Sequence, residues 1–376
     1  SPINERRLSD SERLLWNAYQ FFQNKVSIKF KNKSGGELAK FLNHVIGELM
    51  MFIQITVKDE LNAYTVFETL NSRGVELTST DLLKNFLFSL VAKSKTDLKN
   101  VKNQWKKIID AVGLKEFPIF LRYYLVATRK QITKEYLFKE IKSFIKNAED
   151  VFDLLDSLEF YAYNYIALGN SDDQLWNTDK ELRININVLK AFRVTQWKPL
   201  ALVAYEKLSN QDFKKLINAI VSISFRYNVV AKLQTNEMEK VYSKAAINLY
   251  KGNTQNLQMV INDLKSIYVN DEDFRNYFMT KQFRTANSTE QKLARYTLYK
   301  LESQENNGNS YDFTIDDGTI EHILPENPSE DWLEFFDEES IEKYIYSVGN
   351  LTLLEAKKNN REASNKIFSE KERIYH

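Results

Sequence analysis

A chain of 376 residues, 43% apolar and 13% aromatic with ten glycines and five prolines, can bury the cores of two or three domains. That profile excludes a disordered or fibrous protein, and the absence of cysteine excludes disulfides, zinc–thiolate sites and cysteine nucleophiles while suiting a cytoplasmic location. The net charge of +1 conceals an asymmetry: residues 311–376 carry 16 Asp/Glu against 7 Lys/Arg, so any polyanion has to be gripped upstream.

Ser1-Pro2 stands where an initiator Met would, so the chain is expected to be part of a longer protein. The apolar stretch from Leu42 to Val57 is interrupted by Asn43, His44, Glu48 and Gln54 and is not expected to span a membrane. Within it, Met50 to Val57 reads as a short buried strand. Asp59 is then an N-cap, and Ala63, Val66, Phe67 and Leu70 form one apolar helical face. Asn71-Ser72-Arg73-Gly74 stops that helix, Gly74 being free to take positive φ. Thr78 and Asp81 start the next one in capping-box spacing, with Leu82, Leu83, Phe86, Leu87, Leu90 and Val91 on its buried side.

From 93 to 285 the pattern is a succession of helices rich in Tyr, Phe and Lys. Lys93, Lys95, Lys99, Lys102, Lys106 and Lys107 recur near Trp105, as a solvated face or a contact to a phosphate backbone. Ser288 and Gln291, in capping-box spacing, open a helix containing Leu293, Leu298 and Leu301, and a polar loop follows at 305–310. Thr319 to Leu324 reads as a strand closed by Pro325, Ser329 to Tyr346 as helical, Asn350 to Leu354 as a second strand, and Asn365 to Tyr375 as a terminal helix. The expected fold is mainly α, a multi-helical body with a small α/β part near the N-terminus and a strand–strand–helix motif at the C-terminus. Domain boundaries are expected at 1–92, 93–285 and 286–376.

Glu321-His322 is the pair that carries chemistry. His is the side chain best suited to take a proton from water near neutral pH, and a carboxylate with an amide carbonyl suits a hard cation such as Mg²⁺. Adjacent strand residues point to opposite faces unless a bulge or the turn at Pro325 brings both into one cleft. Asn350 returns on the second strand, and the turn from Lys357 to Arg361 presents Asn359 and Asn360 ahead of the last helix. His44 and His376 read as structural, and Trp332 as core.

Ile320-Glu321-His322-Ile323-Leu324-Pro325, then Trp332, then Gly349-Asn350-Leu351-Thr352-Leu353-Leu354, then Asn359/Asn360 and Ser364-Asn365-Lys366 with Phe368 and Lys371, resembles the HNH nuclease domain of GmrD-type proteins. Upstream, Phe67-Glu68, Leu70-Asn71, Arg73-Gly74, Leu77, Asp81-Leu82 and Lys84-Asn85 are similar to the GmrS-type, ParB/sulfiredoxin-like domain. Together they imply a GmrSD-like, modification-dependent (type IV) restriction endonuclease: an HNH endonuclease or nickase with a ββα-metal motif, cutting modified or foreign DNA in phage defence.

By position the resemblance implies His322 as general base, Asn350 as its catalytic partner orienting the His or the loop, and Glu321 with Asn359 or Asn360 as ligands of Mg²⁺ or Mn²⁺. Nine residues on from Asn350 points to Asn359, and counting back from Ser364-Asn365 points to Asn360. Lys357, Lys358, Arg361 and Lys366 are DNA-contact candidates. Asn71, Arg73 and Gly74 are either a plain helix end or a nucleotide or phosphate contact. The family's Asp-Gly-Gln-Gln-Arg run is absent, so NTP use is expected only of a full-length protein. DNA is the expected partner, with no membrane and with a homo-oligomer left open. A second expectation stands beside the enzyme: a non-catalytic module that senses modified DNA or a nucleotide.

Overall fold

The computed structural model describes residues 8, 10–51, 79–305 and 318–375. The chain divides into two compact units, Ser1–Asp59 and Glu60–His376. In the first, α1 (Asp10–Phe30) and α2 (Gly35–Lys40) are followed by a π-helical turn, Phe41–Ile46. Glu37 of α2 reaches back to accept from the Ser34 backbone N–H at 3.0 Å, satisfying one donor that the helix start would leave bare. Most of the expected strand (52–57), the expected 59–70 helix and Asn71, Arg73 and Gly74 lie outside the described residues, so the small α/β part does too.

The second unit is a helical body. It begins with α3 (Ser79–Val91), α4 (Lys95–Val112), α5 (Phe117–Thr128), α6 (Leu137–Phe144) and α7 (Ala148–Ala167). It continues with α8 (Lys180–Ala191), α9 (Lys198–Lys207), α10 (Asn210–Ser224), α11 (Thr235–Tyr250), α12 (Leu257–Asp263), α13 (Asp271–Met279) and α14 (Ser288–Glu305). Then come β1 (Gly318–His322), α15 (Glu330–Leu333), α16 (Glu338–Tyr344), β2 (Leu351–Glu355) and α17 (Phe368–Tyr375).

Helix α4 shows how the sequence builds this body. Ser94 caps it by accepting from the Asp97 N–H, and Val101, Trp105, Ile108 and Val112 fall on one buried face. Each such side chain contributes about 1.5–3 kcal/mol on burial, which outweighs the helix propensities of the lysines opposite. Those lysines are exposed, and Lys107 reaches Glu159 at 3.5 Å. Rings of Phe88, Trp105, Phe117, Phe120 and Tyr165 run through the core at centroid spacings of 5.1–6.4 Å. Helix α3, grouped by sequence with the first segment, instead packs on α4, α6 and α7, because Leu83, Phe86, Leu87 and Val91 belong to this core. Helix α14 packs against α8, β1 and β2.

Helix α14 is capped one residue earlier than its Ser288 suggests. The Asn287 side chain accepts from the N–H groups of Thr289 and Glu290. Leu301, expected inside, is 46% exposed. The two strands pair antiparallel, from Gly318↔Glu355 to His322↔Leu351. Ahead of α14, the segment 281–285 lies along residues 343–347: Phe283 N–H donates to the Tyr346 carbonyl at 2.8 Å, and Gln282 bridges Ser347. Among the described residues no helix is long and apolar enough to cross a membrane.

Candidate active site

The pleat of β1 is unbroken, and this decides what each side chain meets. Ile320 packs onto the core cluster, and His322, two residues on, faces the 281–287 segment. Thr319 and Glu321 take the opposite face, covered by α17 and by the π-helical turn Lys358–Ala363. No bulge near Pro325 turns Glu321 and His322 into a common cleft. They flank the end of one strand.

His322 Nε2 lies 3.0 Å from Thr285 Oγ1, and that hydroxyl donates to Glu326 Oε1 at 3.2 Å. With the hydroxyl proton committed to the carboxylate, the threonine oxygen accepts from Nε2–H, which leaves the lone pair on Nδ1. Tyr346 stands edge-on to the imidazole, centroids 6.0 Å apart. Burial pushes the His322 pKa below its ordinary value. Glu326 and Glu321 push it back up, and Lys371 lowers it. The ring is thus held neutral near pH 7, in one tautomer and one orientation.

Glu321 is 3% exposed and is not bare. Lys371 Nζ donates to its Oε1 at 2.7 Å and to the His322 carbonyl at 2.8 Å, and Tyr375 Oη donates to the same Oε1 at 3.1 Å. Lys371 is itself fully buried. Glu321 and Lys371 form a buried ion pair, each charge having the other as its partner out of solvent.

Asn350, expected beside His322 as catalytic, has its whole amide engaged with the backbone. Its Oδ1 accepts from Leu324 N–H at 2.7 Å, and its Nδ2 donates to the carbonyls of Leu324 and Ile345, each at 2.9 Å. It clips the exit of β1 to the chain entering β2, and so holds the loop. Asn359 Nδ2 donates to Thr319 Oγ1 and the Ile320 carbonyl, each at 2.9 Å, which fastens the π-helical turn to the Glu321 face of β1. The side chain of Asn360 lies outside the described residues. Lys357, Arg361 and Lys366 are exposed and Lys358 is half-buried, all on or next to that turn. Trp332 is buried as expected, its Nε1 donating to the Lys366 carbonyl.

Among the described residues no three His, Asp or Glu side chains gather as a metal cluster. The hard oxygen donors on this face are the Glu321 carboxylate, which Lys371 already neutralises, and the carbonyl of the Asn359 amide, whose nitrogen is tied to β1. Sequence reasoning missed Thr285, Glu326, Tyr346 and Tyr375, and it quoted Lys371 without a role. Glu326, four residues after His322 and next to Pro325, was the one partner with a local signal.

A buried carboxylate and an oriented histidine thus flank the end of one strand in a clipped hairpin, carried by a helical body. Residues 268–376 match the model of the C-terminal domain of GmrSD restriction endonucleases, and residues 2–88 match that of the N-terminal domain. The chain belongs to this family of type IV restriction endonucleases. No curated protein matches it.

Proposed function

We propose that the chain is a metal-dependent HNH endonuclease or nickase that hydrolyses phosphodiester bonds of modified or foreign DNA in phage defence. The observation that carries the reading is the Glu326–Thr285–His322 array, which supplies a neutral imidazole with a free lone pair. His322 takes a proton from the attacking water at Nδ1, and the imidazolium so formed is stabilised through Thr285 and Glu326. Glu321 and the carbonyl of Asn359 or Asn360 would hold Mg²⁺ or Mn²⁺, which when bound offsets negative charge on the phosphate and leaving oxygen. Asn350 and Lys371 keep the hairpin and Glu321 in register. Lys357, Lys358, Arg361 and Lys366 contact the DNA backbone beside the site. Asn71, Arg73 and Gly74, within the residues that match the N-terminal domain of the family, contact phosphate. Location in the cytoplasm, where foreign DNA arrives, follows from this role.

Supercoiled plasmid, modified and unmodified, incubated with Mg²⁺ or Mn²⁺ tests the reading. Wild type nicks or cuts the modified plasmid and His322→Ala does not. Cleavage that persists in His322→Ala would remove the assignment. One observation favours a second reading, a sensor of modified DNA: Glu321 already has its counter-charge in Lys371. Tight binding of modified plasmid with no cleavage by wild type would favour it.

A further inference from the structure

The 281–287 segment that carries Thr285 also lines a cavity of about 610 Å³, together with Lys232 and Glu290; its contributions include Lys281, Arg284 and Asn287. Lys281 leaves α13 and is 6% exposed, with its ammonium within reach of Lys232. Lys232 arrives from the turn after the π-helical end of α10, Phe225–Val230, with its backbone at φ 52°. That left-handed conformation is costly for a residue with a Cβ. The only carboxylate among these lining residues, Glu290, meets Lys232 at 3.4 Å through Oε1, while its buried Oε2 makes no hydrogen bond. Three cations face one anion in this concave site, Lys281 buried over the Phe283 ring and Lys232 and Arg284 open to solvent. Two neighbouring ammonium groups raise each other's energy unless an anion sits between them. Burial first, and then Lys232, lower the Lys281 pKa to about 8, so at pH 7 it still carries its charge.

We propose that Lys232, Lys281 and Arg284 form a subsite for a backbone phosphate of the DNA strand that enters the His322 cleft. This deepens the nuclease reading and rests on it. The two sites share one short segment: Arg284 lines the cavity and its neighbour Thr285 holds His322. The segment is stitched to the hairpin side by the Phe283–Tyr346 and Gln282–Lys343 hydrogen bonds. A phosphodiester chain carries several anions in series, so it can lie across both places, whereas residues 311–376 are acidic and attract no polyanion unaided. A free nucleotide would bring the same phosphate chemistry, and the test separates the two.

Binding of a fluorescein-labelled 24-base-pair duplex is followed by anisotropy over a salt series in the full chain. The proteins are wild type, Lys232→Met, Lys281→Met, the double variant and the exposed control Lys215→Met. Each single cavity variant is expected to raise Kd about tenfold and to reduce the salt slope by about 1. Lys215→Met stays within about twofold of wild type. Lys281→Met should melt at or above the wild-type temperature, because it removes a poorly compensated charge. A lysine that served only packing would lower it. In plasmid nicking, the cavity variants raise KM and leave kcat at saturating DNA within about threefold. A double variant that keeps wild-type Kd and salt slope overturns the proposal. So does loss of GTP or inorganic phosphate binding with duplex binding unchanged. His322→Ala keeps the two readings apart. If it alone abolishes nicking while the lysine variants bind normally, the subsite fails and the nuclease stands. If it nicks like wild type while the lysine variants lose DNA, the nuclease assignment fails and the subsite stands.

Discussion

Replacing Lys371 by Met isolates the group that holds Glu321. The lysine is fully buried and its partner side chain is 4% exposed, with nitrogen and oxygen 2.7 Å apart. Solvent screening at such depth is slight, so the pair behaves as a buried one and not as a surface one. Removing one partner strands the other charge and costs about 3–5 kcal/mol. Tyr375 still donates to Glu321, which places the expected loss toward the lower end of that range. Taking both charges away, as Glu321→Gln with Lys371→Met, restores most of the loss, since two similar-sized side chains without charge need no desolvation.

Hydrogen exchange of the β1 and β2 amides is the suitable assay, because it reads the opening of this hairpin even if the rest of the unit stays folded. Exchange in Lys371→Met should accelerate about 10²–10³-fold, at 1.4 kcal/mol per tenfold, and the double variant should return to within about tenfold of wild type. The reasoning is refuted if Lys371→Met changes hairpin exchange by less than about fivefold. It is equally refuted if the double variant opens as readily as the single one, because the damage would then be lost packing and not a stranded charge.

Asn350→Leu removes three hydrogen bonds from the clip and leaves the Leu324 N–H and two carbonyls without their partner; urea unfolding should show a loss of about 2–5 kcal/mol. A variant that keeps its stability but loses nicking would instead give Asn350 a direct part in the reaction. Thr285→Val deletes the hydroxyl between His322 and Glu326, and the single-turnover nicking rate should fall about tenfold, with Thr285→Ser retaining most of it. Equal losses in both would show that the hydroxyl is not the relevant group. For Lys281 the folded pKa of about 8 lies below the unfolded value near 10.5, so between those limits the unfolded chain binds more protons. Stability contributed by this group therefore rises with pH from about 8 upward, with Lys232 and Glu290 as its charged neighbours. A thermal-shift series from pH 7.5 to about 9.5 should show the rise in wild type and a flatter line in Lys281→Met, and parallel lines would contradict it.

The helices were legible where burial follows a period. Leu83, Phe86, Leu87 and Val91 lie inside as their spacing requires, and β1 and β2 fall within a few residues of their apolar runs. What the spacing could not carry is partnership at a distance. Thr285 stands 37 residues before His322, and Lys371 stands 50 after Glu321. No local pattern links them. A lysine in a short polar helix reads as a solvated charge, yet Lys371 and Tyr375, four apart, share the side of α17 turned to β1. Alternation along a strand was legible and held: Glu321 and His322 take opposite faces.

That separation gives the hairpin two jobs on two faces. The Glu321 face is closed by α17 and the π-helical turn, and its charge is balanced inside the protein by Lys371. The His322 face depends on residues from outside the hairpin, since Thr285 arrives from the segment that joins α13 to α14. The same segment presents Arg284 and Lys281 to the cavity that Lys232 of the helical body completes. The C-terminal part is acidic overall, with the cations Lys357, Lys358, Arg361 and Lys366 gathered at its π-helical turn, so it holds a base but little net attraction for a polyanion, and the upstream body carries the excess of positive charge. Any shift of the 281–287 segment would loosen the histidine's tautomer and the phosphate cradle together.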